Sequence, residues 1–278
     1  MFWDLDPIGM LPQKNSASPT LPKEPSLKQK KKEQNLFVTF FYILTSIWGW
    51  LLTLVSFTSH MLIVLLLSPI PSPDPERRSI RIARRVCCIG VALLGVKLDI
   101  IGREHLPTDR PFIIVANHQS YLDIILMLVV IKDKIAFVAK EELLNIPILG
   151  WDIRSQGHVA IDRSQGIKSA RHLKEIAKAT QNGKNLLLFP EGTRSFDGQV
   201  GEFKRGAFQL ALDAKVPILS CTIAGSGNCM PKKGFWIRPG HVTITLHPAI
   251  FPETLVGTDR EKTHYLSELT RTQIMSRL

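Results

Sequence analysis

The sequence has little cysteine, and its cysteines lack the spacings of metal sites. Four cysteines occur in 278 residues, namely Cys87, Cys88, Cys221 and Cys229. They form no CxxC pair and no zinc-type spacing with histidine, and two adjacent cysteines are awkward partners for a disulfide. The sequence therefore predicts four reduced thiols in a protein that faces the cytosol, and it predicts no metal site.

Charged side chains are absent between residues 36 and 70. As one helix this segment would be roughly 50 Å long, against a hydrocarbon core of about 30 Å. Basic residues flank it on both sides, and basic residues mark the cytoplasmic side of a membrane. We therefore expect a membrane-embedded hairpin that bends near Gly49 or in the stretch 56–59, with a single tilted span as the alternative.

The segments on either side of this apolar run differ in composition. Residues 1–35 are rich in proline, lysine and serine, which predicts a disordered basic tail. A cleavable signal peptide is not expected, because the apolar run starts late and no small-residue cleavage site follows it. Residues 71–97 form a linker with prolines, then arginines, then apolar residues. This pattern predicts an amphipathic helix, lying either at the membrane interface or packed on the folded domain.

Acidic residues are outnumbered, and the net charge is +11. Such a balance suits nucleic acid, an anionic membrane face or phosphorylated substrates. No nucleic-acid-binding motif is present, and the positive charge concentrates beside the apolar run, so no nucleic-acid partner is expected. The sequence also lacks the GxSxG elbow that a serine hydrolase using Ser120 beside His118 would require. A basic membrane- or nucleic-acid-binding protein remains the non-enzyme alternative.

Short β-branched runs alternate with helical segments over residues 98–278. Strands are predicted at 98–101, 112–116, 135–139, 158–161, 186–189, 216–223 and 242–246. A helix is predicted at 206–214, and a short helix beginning at Glu141 is expected to stop at Pro147. The alternation predicts an α/β domain with a mostly parallel central sheet covered by helices, preceded by the N-terminal membrane-embedded segment.

The turn Asn117–Asp123 separates a predicted buried strand from a predicted helix. On a continuous helix, His118 and Asp123 would lie roughly 140° apart. They can meet only if His118 sits in the turn before the helix and Asp123 in its first turns, with Ser120 as the N-cap. An imidazole held by a carboxylate is the arrangement of a general base. The alternative is that His118 caps the turn while Asp123 complements the helix dipole.

Further polar turns follow other predicted strands, at Lys140, at Arg163 and at 191–194. In a parallel sheet these turns meet at one edge, where such sheets bind ligands. Arg163 and Arg194 each offer a planar fork that suits phosphate. The alternatives are an exposed ion pair between Arg163 and Asp162, an ion pair of Arg194 with the glutamate of its own turn, and a solvated Lys140.

The blocks NHQSYLD and FPEGTRS, with GHVAIDR between them and VPIL after them, resemble the blocks of PlsC-type glycerolipid acyltransferases. The resemblance covers roughly residues 99–247. It implies transfer of an acyl chain from acyl-CoA, or acyl carrier protein, to the sn-2 hydroxyl of 1-acylglycerol-3-phosphate, giving phosphatidic acid without a further cofactor. Glycerol-3-phosphate or another lysolipid is the alternative acceptor. His158 departs from the apolar or variable residue expected in its block.

The same resemblance implies residue roles. His118 is the base and Asp123 supports it. The predicted substrate-binding residues, several of them for the acceptor's phosphate, are Asn117, Lys140, Arg163, Glu191, Gly192, Thr193 and Arg194. The oxyanion donor stays open between backbone N–H groups of a strand-to-helix turn and the Thr193 hydroxyl. Membrane lipids are expected partners, and the catalytic domain is expected on the cytoplasmic face of a membrane, the inner membrane in a bacterium.

Overall fold

The computed structural model describes residues 27–132, 134–161, 180, 183–196 and 198–278, with side chains for all of these except 27–35, 140 and 161. The chain divides into two units, Met1–Phe40 and Phe41–Leu278. The described part of the first unit is helical. The elements are α1 (Leu27–Leu67), α2 (Pro75–Leu93), β1 (Val96–Ile101), β2 (Ile113–Ala116), α3 (Leu122–Val130), β3 (Ile135–Lys140), α4 (Pro147–Ser155), β4 (Val159–Ile161), β5 (Asn185–Leu188), α5 (Gly206–Ala214), β6 (Ile218–Ala224), α6 (Ser226–Cys229), β7 (Gly240–Leu246) and α7 (Asp259–Met275).

The described strands form a sheet in the order β1-β7-β6-β2-β5-β3-β4. The pairs β2–β5, β2–β6, β3–β5 and β3–β4 are parallel, whereas β6 and β7 are antiparallel. The mostly parallel sheet predicted from the sequence is therefore confirmed, with β7 and its parallel neighbour β1 running the opposite way. As a result β2, β3, β4, β5 and β6 all end at the same edge.

Helices cover both faces of the sheet. Along β2 the side chain of Ile114 lies in one apolar core with residues of α2 and α3, such as Ile80 and Leu126. Ile113 lies in a second core, with residues of α5 and α7 such as Phe208. Because successive side chains of a strand point to opposite faces, β2 is apolar throughout and buried on both sides.

Helix α1 is continuous through Gly49 and through the stretch 56–59, so the predicted hairpin is wrong. A Cβ at Gly49 would lie 2.7 Å from a side-chain carbon of Ile237, so the glycine serves close packing and not a bend. The helix begins at Leu27, which contradicts the predicted disorder for 27–35; residues 1–26 lie outside the described residues. An 18-residue window within Leu36–Leu67 has a mean hydropathy of 2.1, and this part of the helix is long and apolar enough to cross a membrane.

Helix α2 packs on the domain. Its buried residues include Ile80, Ala83 and Val91, which belong to the core that also contains α3. Asp74 begins the helix by accepting a hydrogen bond from the Arg77 N–H at 2.9 Å. The packed alternative is confirmed, while a position at the membrane interface stays a prediction.

The short helix predicted from Glu141 is present as a 3-10 helix, Glu141–Asn145, which ends before Pro147. Pro147 then opens α4, where its missing N–H is harmless and its φ suits the first turn. Sequence analysis missed α7, although Thr258 and Glu261 form a capping box at its start. Through residues such as Leu266, α7 covers the second core.

Candidate functional site

The turn between β2 and α3 brings the predicted base and its carboxylate together. His118 lies in the turn and Asp123 in the first turn of α3. His118 Nδ1 and Asp123 Oδ2 are 2.8 Å apart. The His118 ring also stacks on Phe189, which follows β5, with ring centroids 3.9 Å apart. The predicted contact is therefore confirmed, and the imidazole is fixed along one edge and one face.

Asp123 is 0% exposed, and its Oδ2 is the centre of the turn. Besides meeting His118 Nδ1, this oxygen accepts the backbone N–H of Gln119 at 2.8 Å and that of Ser120 at 2.9 Å. A carboxylate so oriented accepts the Nδ1 proton of a neutral imidazole. The lone pair of His118 then lies on Nε2, as a general base requires.

Ser120 is buried and its hydroxyl is engaged on both sides. Its Oγ accepts the Leu122 N–H at 3.1 Å and donates to the carbonyl oxygen of Met230 at 2.8 Å. The N-cap of α3 is Tyr121, so the prediction of Ser120 as N-cap is wrong by one position. A serine tied in this way joins the turn to the chain after α6, which argues against Ser120 as a nucleophile.

Asn117 is only 1% exposed. Its Nδ2 donates to the carbonyl oxygen of Ile223, and its Oδ1 accepts the Ile223 N–H, both at 2.8 Å. The Asn117 side chain thus forms hydrogen bonds to the backbone of β6 at the point where β2 ends. Asn117 thereby fixes the turn between β2 and α3, and its role in binding a substrate stays a prediction.

Glu191 also supports the turn. Its Oε1 accepts the backbone N–H of His118 at 2.8 Å, and its Oε2 accepts that of Gly201 at 3.0 Å. Burial raises the pKa of the Glu191 carboxyl, although these two backbone hydrogen bonds oppose the rise. Both carboxyl oxygens are engaged by the backbone, and the role of Glu191 in binding phosphate stays a prediction.

The rest of the 191–194 turn faces the opening of a cavity. Gly192 has φ 71°, a backbone conformation that favours glycine. The Arg194 guanidinium stacks 3.7 Å from the ring centroid of Tyr121 and does not pair with Glu191. Lys232 Nζ donates to Thr193 Oγ1 at 3.3 Å and to the carbonyl oxygen of Arg194. The roles of Gly192, Thr193 and Arg194 in binding a substrate stay predictions.

Two predicted residues have no described side chain. Lys140 ends β3, at the edge where the catalytic turn lies, but its side chain is outside the described part. Arg163 lies outside the described residues altogether. Sequence analysis missed Lys204, Arg205 and Lys232, which line the cavity near Arg194. No motif singles them out, because basic residues are common in this chain.

The cavity has a volume of about 1750 Å³ and extends from His118 to α1. Near His118 it is lined by the 191–194 turn and by lysine and arginine side chains. Elsewhere the walls are mostly apolar and come from α1, α2, α3 and β3, with Leu52, Phe57, Cys87, Leu128 and Phe137 among them. A long apolar cavity with a basic opening and a histidine at its side fits an amphiphile with an anionic head.

Buried polar side chains line the part of the cavity next to α1. His60 of α1 bonds Asp152 of α4, with Nε2 and Oδ1 3.1 Å apart. His158 lies edge-on to Phe137 and accepts its backbone N–H at 3.4 Å, and burial lowers the pKa of His158 to about 4. The unexpected histidine of the GHVAIDR block is thus a neutral wall residue.

The cysteines are free, as predicted. Burial raises the pKa of the Cys87 thiol to about 12 and also raises the pKa values of Cys221 and Cys229. Among the described residues, no group of histidine, cysteine and carboxylate side chains is placed to hold a metal ion. The thiols are therefore packing residues.

The structure leaves fewer candidates for the oxyanion donor than the sequence does. The N–H of His118 bonds Glu191, and those of Gln119 and Ser120 bond Asp123. The backbone N–H groups of residues 118–120 are therefore all engaged, and none of them is free to bind an oxyanion. Because the Thr193 hydroxyl accepts from Lys232, its own hydrogen can point to a ligand.

Comparison with known proteins gives consistent matches. Residues 97–224 match the family described as Acyltransferase. A 1-acyl-sn-glycerol-3-phosphate acyltransferase of Chlamydomonas reinhardtii is 42% identical over 158 residues, which are 56% of this chain and 47% of that protein. The chloroplastic enzyme of the same description from Arabidopsis thaliana, LPAT1, is 32% identical over 231 residues, 82% of this chain and 62% of that protein. The chain spans less than two thirds of the length of these curated relatives.

A solved structure also resembles this fold. It is the crystal structure of the 1-acyl-sn-glycerophosphate (LPA) acyltransferase PlsC from Thermotoga maritima, with a TM-score of 0.74 and 29% sequence identity. The match covers 86% of this chain and 96% of that one. The predicted fold class is confirmed.

Proposed function

We propose that this chain is an acyltransferase that transfers an acyl chain from a thioester to the free hydroxyl of 1-acylglycerol-3-phosphate, giving phosphatidic acid. The observation that carries the proposal is the His118–Asp123 pair, 2.8 Å apart at the wall of a long apolar cavity with a basic opening. Relatives with this activity at 32–42% identity support it.

The proposed reaction begins at His118. Its Nε2 takes the proton of the acceptor hydroxyl while that oxygen attacks the thioester carbonyl, and Asp123 stabilises the imidazolium that forms. The tetrahedral oxyanion accepts a hydrogen bond from the Thr193 hydroxyl. When the intermediate collapses, the carbon–sulfur bond breaks and the thiolate leaves, taking the proton back from His118. Base catalysis of this kind contributes on the order of 10²–10⁴-fold in rate.

The two ends of the cavity suit the two ends of the substrates. Arg194 and the lysines beside it provide the positive charge for the acceptor's phosphate, and Arg163 stays predicted for the same task. The apolar part takes an acyl chain. Acyl-CoA and acyl carrier protein are both suitable donors, because each presents the same thioester, and the reaction needs no other cofactor.

We also place the domain at a membrane, with the catalytic face towards the cytoplasm. The apolar helix Leu36–Leu67 and the lipid chains of the proposed substrates support membrane association. The five arginines between residues 77 and 85, on the side of that helix where the domain follows, support the cytoplasmic orientation.

The test is release of thiol from oleoyl-CoA by the detergent-purified protein, with and without 1-oleoyl-glycerol-3-phosphate, beside His118→Ala. We expect release that needs both the acceptor and His118, with phosphatidic acid as the product by mass spectrometry. Replacing the exposed His264 by alanine is the control and should leave the rate unchanged.

Other outcomes have distinct meanings. Release without acceptor would mean a thioesterase. Release that needs glycerol-3-phosphate or another lysolipid would move the acceptor. No release from any acyl-CoA or acyl carrier protein would overturn the proposal.

A further inference from the structure

The loop between α6 and β7, residues 230–239, contains the sequence MPKKGFWIRP and presents aromatic side chains to the surface. Phe235 in this loop is 80% exposed, and Phe196, which packs beside the loop, is 67% exposed. Lys232 Nζ lies 3.5 Å, and Lys233 Nζ 5.3 Å, from the centroid of the Phe196 ring. Exposed phenylalanines next to lysines call for an explanation, because folded domains in water seldom leave such rings uncovered.

The loop is bonded to the apolar helix α1. The indole N–H of Trp50 donates to the carbonyl oxygen of Phe235 at 2.8 Å, and the two rings meet edge-on at 6.1 Å. The Ile237 N–H donates to Ser46 Oγ at 3.0 Å. Phe235 therefore lies beside Trp50 of α1. The side chains of α1 that face away from the domain are apolar and exposed.

The other end of the loop is bonded to the catalytic turns. Ser120 Oγ donates to the carbonyl oxygen of Met230, and Lys232 holds Thr193 and Arg194 as described above. The same ten-residue stretch, 230–239, thus connects the opening of the cavity to α1. If Phe235 bound a surface, the loop would keep the opening of the cavity at a fixed distance from that surface.

We propose that residues 230–239 are a docking surface for an anionic lipid bilayer, with Phe235 entering the interface and Lys233 facing lipid phosphates. Tryptophan and phenylalanine beside lysine form the composition typical of such interfaces. The net charge of +11 and the continuity with the apolar α1 favour a bilayer over other partners. The proposed surface lies next to the opening of the cavity, and it does not depend on which reaction occurs there.

The first test measures the environment of position 235. The full chain, with Phe235→Cys carrying an NBD fluorophore, is reconstituted into vesicles of phosphatidylcholine with 30% phosphatidylglycerol; the unsubstituted chain gives the background from native thiols. Val256→Cys is the matched control, since Val256 is 97% exposed in the loop before α7.

We expect a blue-shifted label at 235 that nitroxide-labelled lipids quench and aqueous iodide does not. We expect the reverse at 256. A label at 235 that iodide quenches as strongly as the label at 256 would overturn the proposal, whatever the activity of the protein.

The second test addresses the lipid charge. In Lys233→Glu, nitroxide quenching of the 235 label should lose its dependence on phosphatidylglycerol, because one cation near an anionic surface changes binding about five-fold and the substitution reverses its sign. Arg260→Glu, exposed at the start of α7, should keep that dependence. Equal quenching of the parent label in vesicles with and without phosphatidylglycerol would overturn the anionic preference.

Discussion

At the level of single residues, the site consists of one side chain proposed to react and several that hold it. His118 faces the cavity, while Asp123, Asn117 and Glu191 fix the turn from three directions. The sequence blocks contain these residues together, but only the hydrogen bonds separate the base from its supports. A buried amide or carboxylate bonded to the backbone keeps a turn in place, and neither needs to touch a substrate.

Replacing Asp123 by asparagine should lower kcat by on the order of 10²–10⁴-fold, with little change in the acceptor KM. The amide oxygen can still accept the two backbone N–H groups, but the negative charge that stabilises the imidazolium is lost. Initial rates with oleoyl-CoA test this. Asp213→Asn, an exposed carboxylate on α5, is the control. An unchanged kcat would show that Asp123 is only structural.

His158 should make the stability of the protein depend on pH. Its pKa is about 4 in the folded chain and 6.5 unperturbed, so the unfolded state binds a proton more readily. The stability of the folded state is then complete above pH 6.5 and decreases as the pH falls towards 4, by about 3 kcal/mol for this residue.

Urea unfolding at pH 7 and pH 4.5 tests this effect. His158→Asn keeps an acceptor for the Phe137 N–H and does not titrate, so it should lose less stability between these values than the parent chain. His264→Asn, on the exposed side of α7, should behave like the parent. Parallel losses in all three proteins would contradict the assignment.

At the level of elements, α1 shows what the pattern of residues along the chain predicts correctly and what it does not. Its length and lack of charge predicted a membrane segment, and the structure has a helix with those properties. Its small and polar residues, Ser46, Gly49, Ser56 and His60, recur every few residues on one face that packs on the domain. This spacing is visible in the sequence, but the small and polar residues were interpreted as the site of a bend in the helix.

Gly49→Val should loosen α1 from the loop 230–239, since a Cβ there would meet Ile237 at 2.7 Å. Overpacking of this kind costs about 1–3 kcal/mol. Hydrogen exchange at the Ile237 amide, which bonds Ser46, should become faster. Thr58→Val adds a similar side chain on the exposed face and should leave exchange unchanged. Equal exchange in both variants would show that the packing is not tight.

At the level of the whole molecule, the cavity is the property that no segment has alone. Its walls come from elements far apart in the chain, from α1 to the loop after α6. Residue Cys87 of α2 lies in its apolar wall, whereas the adjacent Cys88 does not line it. The two cysteines therefore form a matched pair for testing what the cavity holds.

Under the proposed function, Cys87→Phe should shorten the acyl chains that are transferred. The larger ring occupies space that a long chain needs, so kcat/KM for oleoyl-CoA should fall about 10-fold or more relative to octanoyl-CoA. Cys88→Phe should leave that ratio unchanged. If both variants kept the parent profile of chain lengths, the acyl chain would have to bind elsewhere.

Several features were determined by the sequence alone. Short apolar runs, most of them with β-branched residues, defined the strands of the parallel part, the lack of charge defined α1, and the order of the polar blocks placed His118 and Asp123 at one end of the sheet. These are local properties, because strand formation and burial depend on residues that are neighbours in the chain.

The tertiary structure alone decided the rest. It reversed β7 and β1, bonded Asn117 and Glu191 to the backbone, and brought Lys232 to the 191–194 turn. It also packed α1 on the domain instead of folding it into a hairpin. Each of these outcomes depends on which distant groups meet and satisfy each other's hydrogen bonds, and spacing along a single chain does not contain that information.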